Sequence, residues 1–364
     1  MLGACAPRQS PPTSGGTASG GAGAPAAAPA TAPGAAGPSA APPAQASSVE
    51  GFYRGKAVKI VVGFGAGAGF DVLARALARH YGKYIPGNPT IIVENMPGAG
   101  SLVAANHVYN AAPKDGTTLV YFFGGHIVQQ ALGNPAVQFD AQRFNWLGAP
   151  YLDTPSCAVT RASGFNAVED AVGSRELVLG GTAPGSNDTD IPVLLRNLLG
   201  LNVKMVTGYD GLARVWLATK QGEVMGGCQA YEGMRVSLSD DFASGEMRVI
   251  AQGGRAPHPD LPNVPLMRDL ARNEEQRQLI DVSITLSSVY NRPIALPPGV
   301  PPERVRALRE ALAAAWKDPD LIADARQSML ELNPVSADEI EAAVKAIFEL
   351  SPEMREKLKA ALAP

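Results

Sequence analysis

From residue 56 onward the chain alternates between two hydrophobic rhythms. KAVKIVVGF (56–64) is apolar and β-branched, the pattern of a strand buried on both faces. DVLARALARHYGKY (71–84) instead carries Val72, Leu73, Leu77 and Tyr81 at helical spacing, and TIIVEN (90–95) returns to the strand pattern. These segments predict one βαβ unit. PGAGSLVAANHVYNAA (97–112) predicts a second helix introduced by glycines, and TTLVYFF (117–123) a third strand. An irregular stretch containing FNWLGAPY (144–151) follows, after which the alternation restarts: strand 176–182, turn APGSNDTD (183–190), helix 191–200, strand 202–209, helix 212–222 and strand EVMGGC (223–228).

The last third predicts a strand in MRVIAQGG (247–254), a Pro-punctuated loop (256–266), an apolar extended segment SVYNRPIALP (288–297), and amphipathic helices in 305–318 and 337–350. Pro301-Pro302-Glu303 opens the first of these helices, with proline in the first turn and an acid near the N-terminus. Alternating β and α segments imply an α/β fold with two lobes, each a mostly parallel sheet flanked by helices. The expected division is 50–152 plus 247–364 for lobe 1 and 153–246 for lobe 2, with two chain crossings between them.

Composition changes the picture at the N-terminus. Residues 6–48 hold almost only Ala, Pro, Gly, Ser and Thr, with Arg8 as the sole charge and no Leu, Ile, Val or aromatic residue. Such a segment cannot offset the entropy of ordering, so 6–49 is expected to be a disordered linker. Leu2-Gly3-Ala4-Cys5 resembles a bacterial lipobox, which makes residues 1–5 the remnant of a lipoprotein signal and Cys5 the lipidated, membrane-tethering residue; the basic and apolar regions of a signal peptide are missing, as a start assigned too far downstream would explain.

The 364 residues are 46% hydrophobic and 18% charged with a net charge of −3, which gives no bias toward nucleic acid. No segment offers 18 uninterrupted apolar residues. The three cysteines, Cys5, Cys157 and Cys228, show no metal-ligand spacing, and Cys157 and Cys228 are expected as buried thiols rather than a disulfide.

Candidate chemistry lies in the glycine-rich strand-to-helix turns. Gly63, Gly65, Gly67 and Gly69 precede Asp71 at the start of a helix, a layout that leaves backbone N–H groups open to a phosphate or a small carboxylate. Gly63, Gly65 and Ala68 fit the G-x-G-x-x-A fingerprint, with Glu94 in the place of a ribose-binding acid, so an NAD-dependent oxidoreductase is one reading. Against it, Asp71 would compete with a pyrophosphate for the same N–H groups. The four histidines, His80, His107, His126 and His258, are scattered, and no Walker sequence, HExxH or G-x-S-x-G elbow occurs.

The series VVGFGAGAGFDVLAR, PTIIVENMPGAGSLVAAN, APKDGTTL, VTGYDGLARVWLATKQGEV and SGEMRVIAQGGRAPHPDLPNVP resembles the solute-binding proteins of tripartite tricarboxylate transporters, the TctC or Bug family, from about Phe52 to the C-terminus. The resemblance implies a two-lobed type II periplasmic binding protein, a Venus flytrap. Such a protein captures a small carboxylate between the lobes and hands it to the permease subunits of a membrane transporter, as a monomer, without cofactor, metal or catalysis. A periplasmic ligand sensor using the same cleft is a further reading.

The resemblance places ligand contacts on Ala66, Gly67, Ala68, Gly69 and Asp71 in the first lobe and on Thr182, Gly185, Ser186 and Asn187 in the second. Thr182 and Ser186 are also suited to capping the next helix. Gly125 and His126 after the third strand, Gln229 after EVMGGC, and Tyr209 are further wall positions, while Asn95 and Gly98–Gly100 are expected mainly to shape a turn. Two departures from the family pattern bear on the ligand: Phe70 stands just before Asp71, and NDTD puts Asp188 and Asp190 where a small residue and a histidine are common. The extra acids are expected to disfavour a polyanion such as citrate unless a cation accompanies it or they point to solvent.

Overall fold

Strand β1 (Ala57–Val62) runs parallel to β2 (Thr90–Asn95) on one side and to β3 (Thr118–Tyr121) on the other. Its side chains alternate between two apolar clusters: Val58, Ile60 and Val62 join Leu73, Leu77 and Tyr121 on one face, and Val61 joins Leu102, Val120 and Trp146 on the other. A parallel strand covered by helices on both faces needs this two-sided burial. The computed structural model describes residues 48–67, 69–328, 330 and 332–363. The expectations for the linker, for Cys5 and for Ala68 fall outside the described residues, except that the stretch called linker already ends in a helix at Val49–Tyr53.

The first sheet has the order β11-β4-β10-β3-β1-β2, where β4 is Asn145–Ala149, β10 Ile294–Leu296 and β11 Val335–Ser336. The second has the order β7-β6-β8-β5-β9, with β5 Pro155–Thr160, β6 Leu177–Gly180, β7 Val203–Val206, β8 Gly226–Ala230 and β9 Met247–Gln252. Both sheets are mixed, which corrects the mostly parallel expectation: β10 is antiparallel to β3 and β4, β11 to β4, and β5 to β8 and β9. Strands that arrive after the chain changes sheets run back against their neighbours, and strand direction is not written in local hydrophobicity.

The chain passes from β4 of the first sheet to β5 of the second and returns between β9 and β10. β9, which begins just after the expected boundary at 246, pairs with β5 over Thr160–Met247 to Ser156–Gln252 and belongs to the second sheet. The C-terminal helix, Pro352–Ala361, expected in the first lobe, shares a core cluster with Val61, Val120 and Trp146 of the first sheet. It packs on the helix Asn187–Leu199 of the second lobe, where the Asn197 side-chain amide donates to Ala361 O and Ala363 O, both at 2.9 Å.

Two segments differ locally from their sequence patterns. FNWLGAPY supplies β4, the strand next to the edge strand β11, with Trp146 buried among Phe122, Phe139 and Phe144. SVYNRPIALP is helical through Ser287–Tyr290, continuing a π-helical turn at Asp281–Thr285, and becomes a strand only at Ile294. Pro293, with no N–H and a fixed φ, separates the two conformations.

Cys157 and Cys228 are joined by a disulfide, correcting the buried-thiol expectation. They stand directly opposite each other on antiparallel β5 and β8, with Cα atoms 4.0 Å apart, closer than facing residues of such a ladder usually stand. Among the described residues no helix is long and apolar enough to cross a membrane.

Candidate functional site

The first turn, residues 63–69, joins β1 to the helix Gly69–Tyr81. Gly63 is needed for packing, since a Cβ there would come 2.2 Å from Ser101 Cβ. Gly67 is needed for conformation, with φ +82°. Gly65, Gly67 and Gly69 are exposed, and a Cβ on any of them would meet no atom within 4 Å, so the rim of the turn is open.

Asp71 sits behind that rim, 2% exposed. Its Oδ2 accepts from Gly67 N–H at 2.8 Å and from Arg75 Nε at 2.9 Å, and its Oδ1 accepts from Asn95 Nδ2 at 2.8 Å. Asn95 also donates to Phe64 O, and Arg75 Nη2 donates to Asn95 Oδ1, each at 2.9 Å. Burial works to raise the carboxyl pKa, but the bonds from Arg75, Gly67 and Asn95 outweigh it and hold Asp71 below its ordinary value. The structure places Asp71, expected as a ligand contact, in bonds that close the turn, and Asn95 is part of the same tie.

That arrangement bears on the dinucleotide reading. The Gly67 N–H that a pyrophosphate would need is held by Asp71, and Glu94, the candidate ribose acid, is ion-paired with Lys59.

The second turn, residues 181–187, joins β6 to the helix Asn187–Leu199 and repeats the device. Gly185 has φ +91°, and its N–H donates to Asp190 Oδ1 at 2.8 Å. Asp188, buried, accepts from Thr182 N–H on Oδ2 and from Thr182 Oγ1 on Oδ1, both at 3.0 Å, while Ser186 Oγ makes a close bond to the same Oδ1. Thr182 and Ser186 are therefore brought together, with their hydroxyls engaged by Asp188. Asn187 opens the helix. Neither Asp188 nor Asp190 has an ion-pair partner among the described residues. Burial raises the pKa of both, and it pushes Asp190 to about 7 against the Gly185 bond and with the help of the Asp188 charge.

The two lobes meet at Gly125. A Cβ there would stand 3.2 Å from Gly185 O, and a Cβ on Gly185 would stand 3.5 Å from Gln129 Nε2. His126 is buried beside this contact, and its Nε2–H donates to Gly100 O at 2.7 Å. Burial lowers the imidazole pKa, the Gly100 bond opposing it, and so favours the neutral ring. Gly100 belongs to a run of left-handed residues, with φ 45° at Ala99, 61° at Gly100 and 79° at Ser101, which presents the Gly100 carbonyl to His126.

Tyr209 and Gln229 are engaged elsewhere. Tyr209 Oη donates to Glu223 Oε1 at 2.7 Å, and Gln229 Oε1 accepts from Trp216 Nε1 at 2.9 Å.

Sequence reading missed Arg292. Its Nε donates to Asp153 Oδ1 at 3.0 Å, and its guanidinium lies 4.5 Å from the centre of the Phe70 ring and 5.1 Å from that of Tyr151. Asp153 lies on the first crossing. Glu232 of the second lobe joins the cluster by accepting from Thr154 N–H at 3.1 Å, and burial, then the Asp153 charge, push its carboxyl to about 7. The only local signal was an arginine trapped between an apolar run and a proline.

No family model matches the chain. A UPF0065 protein of Bordetella bronchiseptica is 27% identical over 214 residues, which are 57% of this chain and 61% of that protein. A UPF0065 protein of Cupriavidus necator is 39% identical over 77 residues, 21% of this chain and 22% of its own length. The chain thus spans less than two thirds of these curated relatives.

Solved structures match over more of the chain. A TctC solute-binding protein from Polaromonas is 18% identical, covers 85% of this chain and 98% of its own, and gives a TM-score of 0.65. The periplasmic binding protein BugD is 21% identical with coverage of 85% and 98% and a TM-score of 0.60. MatC of Rhodopseudomonas palustris, solved with malate, is 18% identical with coverage of 85% and 99% and a TM-score of 0.59. In sequence the chain is similar to the UPF0065 proteins over part of its length, and its fold is similar to that of the solved TctC and BugD solute-binding proteins.

Proposed function

We propose that this protein is an extracytoplasmic solute-binding protein that holds a small carboxylate between its two lobes and delivers it to a membrane permease of the tripartite tricarboxylate type. The observation that carries the reading is the repeated device: on each sheet a strand leads into a turn with glycine at positive φ, whose N–H is tied to an aspartate in the first turn of the next helix. Tying the turn from behind pre-organises it and leaves its rim open to a ligand. The malate held by MatC, which shares the fold, supports a small organic acid as the ligand class.

The remaining parts of the reading concern placement and partners. The protein acts in the periplasm as a monomer, tethered through Cys5, without catalysis, and with residues 6–47 as the tether. Lobe 1 is built on the first sheet and lobe 2 on the second. Native mass spectrometry of the purified full chain tests the core of this. A retained small acid, replaced on adding malate, is the expected result, and tight NADH binding with no affinity for any carboxylate would return the glycines to a dinucleotide. Release from membranes by Cys5→Ala tests the tether.

A further inference from the structure

We propose that Arg292 is the specificity-determining residue at the base of the cleft, where its guanidinium grips a second carboxylate of the ligand and makes the protein selective for short dicarboxylates over monocarboxylates. This rests on the carboxylate-binding reading above and adds the residue that reads the far end of the ligand.

Arg292 is fixed in the right place by its neighbours. Asn291 O accepts from Gly124 N–H at 3.0 Å, and a Cβ on Gly124 would come 1.7 Å from Tyr290 O, so the segment carrying Arg292 is pressed against the loop at which the lobes meet. On its other side the guanidinium lies over Phe70, the residue directly after Gly69 of the first turn, and Phe70 in turn stacks on Phe64 of that turn. The arginine therefore bridges the first turn and the inter-lobe contact.

One edge of the guanidinium is held and the other is open. Nε is bonded to Asp153, which is 4% exposed, and the rings of Phe70 and Tyr151 set the plane of the group. The two terminal nitrogens carry four N–H donors, and among the described residues no carboxylate or carbonyl accepts from them. The buried hydroxyl of Tyr121 stands beside the guanidinium as a neighbour for these donors and has no other hydrogen-bond partner. Ser288 Oγ and both side-chain polar atoms of Asn291, on the same segment, are also buried without partners.

A guanidinium in such surroundings is costly unless its donors are met, and a planar carboxylate meets two of them at once. The side chain is 14% exposed, which leaves a way in. A role confined to tying the crossing would need only the Asp153 bond and would leave this row of donors and acceptors unexplained. Asp153 faces the Nε edge alone, and Glu232, with its carboxyl near pKa 7, does not add a second full negative charge at neutral pH.

Calorimetry on the full chain with two matched pairs, succinate against butyrate and adipate against hexanoate, tests the assignment in wild type, Arg292→Lys and the double variant Asp153→Asn/Arg292→Gln. The double variant removes both charges together, so neither is stranded, and Arg292→Lys keeps the charge while removing the fork. Wild type is expected to prefer at least one diacid over its monoacid by tenfold or more. Both variants should lose about ten- to a hundred-fold toward that diacid and less than about threefold toward the monoacid. A wild type that binds no carboxylate defeats the functional reading itself. A wild type that binds carboxylates without preference, or a folded variant that keeps the preference, overturns the role of Arg292 and leaves the functional reading standing.

Discussion

The Gly67 N–H donates across four residues to Asp71 Oδ2 at 2.8 Å, so the most conformationally demanding glycine of the first turn is tied to the most buried acid of the helix that follows. With Arg75 and Asn95 on the same carboxylate, the turn is held from behind by three donors. Asp71→Ala strands all three, and a loss of about 2–3 kcal/mol in unfolding free energy is expected by urea denaturation. The pH dependence follows from the depressed pKa. Because the folded pKa is below the ordinary 3.8, the stabilisation is present at neutral pH and is lost as pH falls through the folded value, so wild type and variant should converge only in strong acid. Asp71→Asn should weaken malate and succinate binding to the same extent, since the side chain acts on the turn and not on the ligand's substituents.

Asp190 carries the opposite sign. Burial raises its pKa from 3.8 to about 7, so between those values the folded protein holds a proton that the unfolded chain has released. Stability therefore falls as pH climbs from about 4 to about 7 and then levels, the folded carboxylate being the costly form. Asp190→Asn keeps an oxygen for the Gly185 N–H and removes the titration. Thermal melts should show the variant gaining on wild type between pH 5 and pH 8, by on the order of 1 kcal/mol given the partial exposure of the side chain. An unchanged slope would show that Asp190 is solvated in the folded state.

The disulfide between Cys157 and Cys228 closes a loop with a sequence separation of 71 and ties β5 to β8 in the middle of the second sheet. Removing it with Cys157→Ser/Cys228→Ser is expected to cost about 3–5 kcal/mol, part from the freed unfolded chain and part from two buried hydroxyls. A reductant should lower the melting temperature of wild type and leave that of the double variant unchanged. Equal melting temperatures for wild type with and without reductant would show free thiols.

What the sequence made legible was whatever depends on neighbours in the chain. The period-2 faces of β1, the helical spacing of Leu73, Leu77 and Tyr81, and the glycines of both turns all report local geometry. Membership of a sheet is different. Met247–Gln252 reads as a strand from its side chains, but its pairing with β5 is decided nearly a hundred residues away. The disulfide was hidden for the same reason, since two cysteines on opposed strands carry no spacing rule. Arg292 was illegible because its meaning comes from Phe70 on one distant segment and from Tyr151 and Asp153 on another. Asp71 was found by position and its bond to the turn was not, since a carboxylate at a helix start serves a ligand or its own turn equally well until the N–H of Gly67 is located.

The glycines of the first turn separate folding from binding. A Cβ at Gly65 meets open space and that residue does not have positive φ, so Gly65→Ala should leave stability within about 0.5 kcal/mol of wild type. Gly67 meets equally open space but has φ +82°, so Gly67→Ala should cost about 1–2 kcal/mol through backbone strain alone. Ligand affinity should follow a different order. If the rim admits a carboxylate to the backbone, a methyl group at either position obstructs the approach, and Gly65→Ala should weaken binding about tenfold while melting like wild type. Calorimetry and thermal melts on the same two proteins decide the matter. A Gly65→Ala protein with full affinity would move the ligand off the rim of the turn, and one that loses stability in proportion to its affinity would mean that the glycine serves the fold alone.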